Sequence, residues 1–202
     1  MIKGLVIKST GSWYKVKSED GVFYDCRIVG KFRLREIKTT NPLAVGDWVM
    51  FEEDTDGNGI IKDVLKRHNY IIRKSVNLSK RGHIIASNLD QALLVVTLTN
   101  PPTSLGFADR FLVSAEAFHI PVKIIFNKVD LHSEKENLEL EKWRQLYSKI
   151  GYECITTSAT EDINLELLKE VMKDKVTLFS GHSGVGKSTL INSISPSLNV
   201  RV

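Results

Sequence analysis

The sequence predicts two domains, an all-β barrel followed by an α/β domain that breaks off just after a phosphate-binding loop and its helix. Three observations carry that expectation. Residues 2–65 hold five short, mostly alternating apolar runs with turn signals between them and no helical periodicity. From residue 92 onward, apolar runs alternate with amphipathic stretches, the order of a doubly wound parallel sheet. Residues 175–194, KVTLFSGHSGVGKSTLINSI, place a strand, a glycine loop and a helix in succession.

In the first part, residues 2–8 and 12–18 read as strands with Gly11 between them. Asp20-Gly21 is a hairpin signal ahead of residues 22–28. Residues 48–51 follow Val45-Gly46-Asp47, and residues 60–65 follow Asp56-Gly57-Asn58-Gly59. Five such strands suit the OB-fold, a small barrel that commonly binds nucleic acid. Trp13, Tyr14, Phe23, Tyr24 and Trp48 divide between core and surface, and alternation alone does not say which go where. Residues 31–44 read as a long, mobile, basic loop, and residues 71–87 as a polar stretch joining the domains. The boundary is drawn between an OB-type domain, 1–72, and an α/β domain, 73–202.

Charge is distributed unevenly. The net charge is +4, and residues 1–75 carry 14 Lys and Arg against 10 Asp and Glu, while the remainder carries 14 against 14. One basic cluster is Arg27, Lys31, Arg33, Arg35 and Lys38; another is Lys62, Lys66, Arg67, Arg73, Lys74, Lys80 and Arg81. Two such runs flanking a small β-domain point to nucleic acid, with the first cluster as the candidate RNA-binding residues. No apolar stretch approaches membrane-span length, and the N-terminus lacks a signal-peptide core, so no membrane role is expected. Cys26 and Cys154 fall in separate strands and read as buried free thiols, which suits a reducing cytoplasm. The five histidines lack metal-ligand spacing and read as structural or solvent-facing.

In the second part, residues 92–98, ALLVVTL, are apolar on both faces, as central parallel strands are. Asn100-Pro101-Pro102 breaks the run, and a helix follows with Phe107, Phe111, Ala115 and Phe118 on one stripe. Residues 122–126, VKIIF, are a strand. Ser133-x-x-Glu136 is a capping box opening a helix to Ile150, whose inner face is Trp143, Leu146, Tyr147 and Ile150. Residues 153–157 form the next strand, residues 164–173 the next helix, and Val176, Leu178 and Phe179 a buried strand before the glycine loop.

Gly181-His182-Ser183-Gly184-Val185-Gly186-Lys187-Ser188 fits GxxxxGK[ST], and Thr189 continues into the helix. Glycines let successive N–H groups turn toward phosphate oxygens, and the helix N-terminus adds positive potential. Lys187 is placed for the β- and γ-phosphates, and the Ser188 hydroxyl for Mg²⁺. Asn127-Lys128-Val129-Asp130 ends the VKIIF strand. A buried Asp130 carboxylate would accept two hydrogen bonds that guanine offers and adenine does not. Lys128 would lie over the base, Asn127 would tie the loops together, and Ser158-Ala159 would offer an N–H to the guanine O6. Three strand-end loops then form one crevice.

The order is unusual. NKVD precedes the phosphate loop, the pattern of a circularly permuted GTPase. With GLVIKSTGSWYKV (4–16), CRIVGKFR (26–33), VGDWV (45–49) and GHSGVGKSTLIN (181–192), the chain resembles the RsgA/YjeQ-type ribosome small-subunit-dependent GTPases over its whole length. The resemblance implies an OB-fold barrel followed by a circularly permuted α/β P-loop GTPase domain. It also implies GTP and GDP as nucleotides, Mg²⁺ as cofactor, and the small ribosomal subunit with its rRNA as partner. A monomer is expected. Members of the family carry a switch threonine, a DxxG element and a zinc-binding domain after the phosphate loop. None of these follows Ser188 here, so the chain reads as an N-terminal fragment with zinc expected only beyond it and with no switch residues for turnover. The rival readings are a P-loop ATPase or kinase, and an RNA-binding module with a vestigial nucleotide site.

Overall fold

The computed structural model describes residues 1–28, 41–74 and 82–201, with the backbone alone for residues 73 and 74. Two compact units emerge, Met1–Leu89 and Asp90–Val202.

The first unit contains a closed barrel of β1 (Ile2–Thr10), β2 (Trp13–Ser18), β3 (Phe23–Ile28), β4 (Trp48–Glu53) and β5 (Gly59–Val64), in the order β1-β2-β3-β5-β4. Antiparallel pairing of β1 with β4, Ile2 opposite Phe51, closes it; β3 and β5 run parallel. The period of two decides what is inside. Along β2, Tyr14, Val16 and Ser18 point inward and the residues between them outward. Val6, Tyr14, Val16, Cys26, Leu43, Val49, Phe51 and Ile61 make the core. The division of the aromatics is now plain. Tyr14 is core, Tyr24 is half-buried against Phe51 with ring centroids 5.0 Å apart, and Trp48 is half-buried. Trp13 and Phe23 are 41% and 55% exposed.

Residues 71–87 are not a polar connection. Residues 70–74 and 82–87 pair as antiparallel strands, β6 (Tyr70–Lys74) with β7 (Gly82–Ser87), in which Ile71, Ile84 and Ala86 are buried. The apolar pairs Ile71-Ile72 and Ile84-Ile85 are too short to stand out beside the polar residues around them. Ser87 N–H donates to Val45 O at 3.0 Å, and Asn88 Nδ2 to Gly46 O at 2.7 Å. Gly46 has φ +94°, and a Cβ there would lie 2.0 Å from Ser87 O, so the VGDWV turn admits no side chain at this point. Asp47 accepts from Ser87 Oγ and Arg67 Nε, both at 2.6 Å, and from Ala44 N–H at 2.8 Å. Asn69 exchanges two 2.8 Å bonds with the Leu89 backbone. These ties extend the unit to Leu89, beyond the 72/73 boundary read from the sequence. The end of the expected mobile loop is likewise fixed: Leu43 and Ala44 are buried, and Asn41 Nδ2 donates to Leu43 O and Ile84 O.

The second unit is a parallel sheet ordered β10-β9-β8-β11. It alternates β8 (Gln91–Val96), α1 (Leu105–Ala117), β9 (Val122–Asn127), α2 (Glu134–Lys149), β10 (Glu153–Thr157), α3 (Leu165–Met172), β11 (Thr177–Ser180) and α4 (Lys187–Ile194). Every residue of β8 is buried, as its unbroken apolar run requires. The Ser133–Glu136 capping box is formed. Three sequence expectations shift. The buried stripe of α1 is Ala108, Leu112 and Ala115, with Phe107, Phe111 and Phe118 half-buried beside it. The inner face of α2 is Leu140, Trp143 and Tyr147, while Leu146 and Ile150 are exposed; Trp143 fixes the face by meeting Phe126 edge-on. β11 is half-buried rather than buried, because it pairs with β8 on one side only among the described residues. No helix of the described residues is long and apolar enough to cross a membrane.

Candidate functional site

Parallel pairing brings four strand ends to one edge. Thr157 lies opposite Asn127 across β10 and β9, Phe126 opposite Val96 across β9 and β8, and Ser180 opposite Leu94 across β11 and β8. The loops that follow are therefore neighbours.

Asn127 joins them. It is 2% exposed; its Nδ2 donates to Val185 O at 2.8 Å, and its Oδ1 accepts from Thr157 Oγ1 at 3.0 Å. One buried amide thus spans the NKVD loop, the phosphate loop and the end of β10, with donor and acceptor both satisfied. Lys128, in the left-handed conformation at φ +62°, sends its Nζ to Gly184 O at 2.7 Å and to Asn100 O at 2.6 Å. Thr160 Oγ1 donates to Asp130 Oδ2 at 3.3 Å, closing the third side. Asp130 itself is exposed, which corrects the expected buried carboxylate; its water must leave when a base arrives. Ser158 is buried and its N–H donates to Ile163 O at 3.3 Å.

The phosphate loop is pinned from below and open above. Val185 is fully buried in the core with Leu93, Val95, Leu165, Leu168 and Leu190. His182, Ser183 and Gly184 are exposed. Gly186 precedes α4 at φ +91°, and a Cβ on it would stand 2.4 Å from Asn127 Nδ2, so the Asn127–Val185 bond itself requires glycine here. Lys187 Nζ bridges Gly181 O at 2.9 Å and His182 O at 2.6 Å, and burial lowers its pKa from the usual lysine value. The lysine is held across the loop where a phosphate would meet it. Ser188 and Thr189 occupy the first turn of α4, half-buried.

The donor set suits a nucleotide carrying its own Mg²⁺. The exposed loop backbone at residues 182–184, a helix N-terminus and one ammonium fit phosphate oxygens. Ser188 offers one hydroxyl to the ion, and Mg²⁺ takes its other ligands from phosphates and waters. Among the described residues, no group of three His, Cys, Asp or Glu could hold a metal ion.

Sequence reasoning missed Thr157 and Asn100 as partners of these loops. Asn100-Pro101-Pro102 signalled only the end of a strand.

Of the candidate RNA-binding residues, Lys31, Arg33, Arg35 and Lys38 lie outside the described residues. Arg27 is opposite Trp13, sits over its ring at 5.9 Å, and pairs with Asp54 at 3.5 Å. In the second cluster, Arg67 is not a surface cation: its side chain is 5% exposed and paired with Asp47. Lys62 pairs with Glu52 at 3.2 Å. Lys80 and Arg81 lie outside the described residues, as do the side chains of Arg73 and Lys74.

Residues 64–202 match the family model described as RsgA GTPase, and residues 3–61 the model described as RsgA N-terminal domain. The chain belongs to the RsgA GTPase family. It is 54% identical, over 99% of its length, to the small ribosomal subunit biogenesis GTPase RsgA 2 of Bacteroides thetaiotaomicron. Identity and coverage are the same toward the RsgA of Christiangramia forsetii. The chain spans 64% of the length of each of these curated relatives. Among solved structures it is similar to YjeQ from Thermotoga maritima, with TM-score 0.78 and 35% identity, covering 99% of this chain and 67% of that one. It is also similar to YloQ, described as a circularly permuted GTPase, with TM-score 0.69 and 34% identity, covering 98% and 65%. The RsgA fold of an OB-like barrel before a P-loop GTPase domain is thus the fold of this chain.

Proposed function

We propose that this chain binds GTP and GDP at the edge formed by the NKVD loop, the Ser158-Ala159 loop and the phosphate loop. Asn127 carries the reading: its single amide ties all three loops at distances of 2.8 and 3.0 Å. Asp130 reads guanine, Lys128 underlies the base, Ala159 N–H meets the guanine O6, and residues 181–189 hold the phosphates with Mg²⁺ on Ser188. The activity we assign is hydrolysis of GTP in step with maturation of the small ribosomal subunit; the relatives, which are longer than this chain, are named small ribosomal subunit biogenesis GTPases. The barrel contacts rRNA, in the cytoplasm, as part of a monomer. The 202 residues carry no DxxG after Ser188, so the chain alone binds nucleotide without useful turnover.

The test is calorimetric titration of GDP, GTP and ATP with Mg²⁺, beside a phosphate-release assay. GDP and GTP should bind with similar affinity, ATP far more weakly, and no phosphate should appear. Equal affinity for ATP would favour an ATPase or kinase. Absent nucleotide binding with RNA binding intact would favour a vestigial site. Robust turnover would overturn the expectation of binding without catalysis.

A further inference from the structure

The segment between β8 and α1, together with the first turn of α1, touches the NKVD and phosphate loops three times. Asn100 O accepts from Lys128 Nζ at 2.6 Å. Pro101 lies against Gly184, whose added Cβ would be 3.2 Å from the proline Cδ. Phe107, in the first turn of α1, stacks on His182 of the phosphate loop with ring centroids 3.7 Å apart and planes 33° apart. What shapes this segment is Thr97. It is 1% exposed, and its Oγ1 donates to Pro101 O at 2.5 Å. Its N–H donates to Thr103 Oγ1 at 3.1 Å, and its carbonyl accepts from Thr103 N–H at 2.8 Å. The turn at 98–102 is therefore closed from inside by one buried residue pair.

We propose that Thr97 is a positioning residue for guanine-nucleotide binding. Its hydroxyl sets the 98–102 turn so that the Asn100 carbonyl holds the Lys128 ammonium, while Pro101 and Phe107 brace the phosphate loop. The inference rests on the nucleotide reading above. A lysine stem is flexible, and its ordering normally falls on the binding step. Here the backbone of Lys128 is already in a conformation that non-glycine residues avoid, and two carbonyls fix its far end. The stem is laid out before a base arrives. Without the Thr97 hydroxyl, the Pro101 carbonyl loses its buried donor and the Asn100 carbonyl loses its fixed place.

Thr97→Val removes the hydroxyl and keeps the shape; Thr97→Ser restores the hydroxyl. Binding of mant-GDP should weaken about tenfold in Thr97→Val, the effect of one buried hydrogen bond, and stay within about twofold in Thr97→Ser. In a Lys128→Ala background, Thr97→Val should add clearly less than about tenfold, because the part of its effect that runs through Asn100 and Lys128 is already gone. A residue that merely stabilises the fold would give equal losses in both backgrounds, and that result, or an unchanged affinity in Thr97→Val, overturns the proposal. Hydrogen exchange in the nucleotide-free chain separates this from the nucleotide reading. Amides at 128–131 and 182–186 should exchange faster in Thr97→Val and not in Thr97→Ser. If the parent chain fails to bind GDP, the nucleotide reading falls, and exchange alone decides whether Thr97 braces the loops; unaltered exchange removes that role too. Should Thr97→Val fail to fold, Phe107→Leu replaces it. Faster exchange at 182–186 supports the brace, and unchanged exchange refutes it.

Discussion

Arg67 holds Asp47 by both carboxylate oxygens, Nε to Oδ1 at 2.6 Å and Nη2 to Oδ2 at 2.5 Å, with the two side chains 5% and 0% exposed. Asp47 also organises the VGDWV turn and receives Ser87 from the β6–β7 pair. Arg67→Ala would leave a buried carboxylate with only neutral donors, at a cost of about 3–5 kcal/mol. Urea unfolding followed by barrel tryptophan fluorescence should show that loss. A shift under about 1 kcal/mol would mean that water replaces the guanidinium.

Asp130→Asn should exchange guanine for xanthine. The carboxylate is exposed and within 3.3 Å of Thr160 Oγ1, so the loop keeps its shape while its acceptors change. GDP affinity should fall about 10²-fold and xanthosine diphosphate affinity should rise. An unchanged preference between the two nucleotides would remove Asp130 from base reading.

Lys187→Ala should lower GDP affinity by about 10²-fold or more, since a charge-assisted contact to phosphate is lost. The fold should survive, because the lysine bonds only the carbonyls of Gly181 and His182 at the open rim while Val185 anchors the loop. Circular dichroism controls for folding; a folded variant with parent affinity would disprove the phosphate cradle.

Binding of single-stranded RNA by the barrel should fall linearly with log salt. Arg27→Ala should reduce the slope by about one if it meets a phosphate. Trp13→Ala should weaken binding by about 1–3 kcal/mol without changing the slope, as expected of a ring that stacks on a base. Salt-insensitive binding, or none, would leave both residues as ordinary surface.

Cys26 should be inert while the barrel is folded. Burial is the largest cause of a thiol pKa pushed up to about 12, with the charge of Asp25 adding to it. The thiolate needed for alkylation is therefore scarce at pH 8. An unfolded cysteine titrates near about 8.5. Below that value both states keep the proton. Between there and 12 only the folded chain keeps it, so stability should fall as pH rises through this window. Iodoacetamide labelling with and without urea checks the first claim: rapid native labelling at Cys26 would refute it.

Which parts of this molecule the sequence announced follows from how local their causes are. The five barrel strands, the Ser133–Glu136 box and the glycine loop are set by neighbours within a few residues, and their patterns could be read directly. The β6–β7 pair could not, because its apolar residues gain meaning only against Val45, Gly46 and Asp47, about forty residues away. The faces of α1 and α2 turned for the same reason. In α1, which packs against β8, Ala108 is buried and Phe107 only half-buried, and Trp143 sets the face of α2 by meeting Phe126. At the strand-end loops, the motifs and their order could be read from the sequence; the contacts made by Thr157 and by the Asn100 carbonyl could not, since a lone threonine or backbone carbonyl has no sequence signature.

The Asn127 amide has consequences for how the chain is made. A ribosome delivers Asn127 first, its partner Thr157 thirty residues later, and Val185 a further stretch after that, 58 residues from the start. In the common order of loops the phosphate cradle would already be waiting. Here the base-reading loop emerges first, and its buried amide has no carbonyl to hold until the cradle is synthesised. The nascent domain therefore passes through a stage in which its sheet is largely built and its site is not. Only with α4 clear of the exit tunnel could a nucleotide act as a template for the final closure, so stalled chains ending before Val185 should gain no protection from GDP.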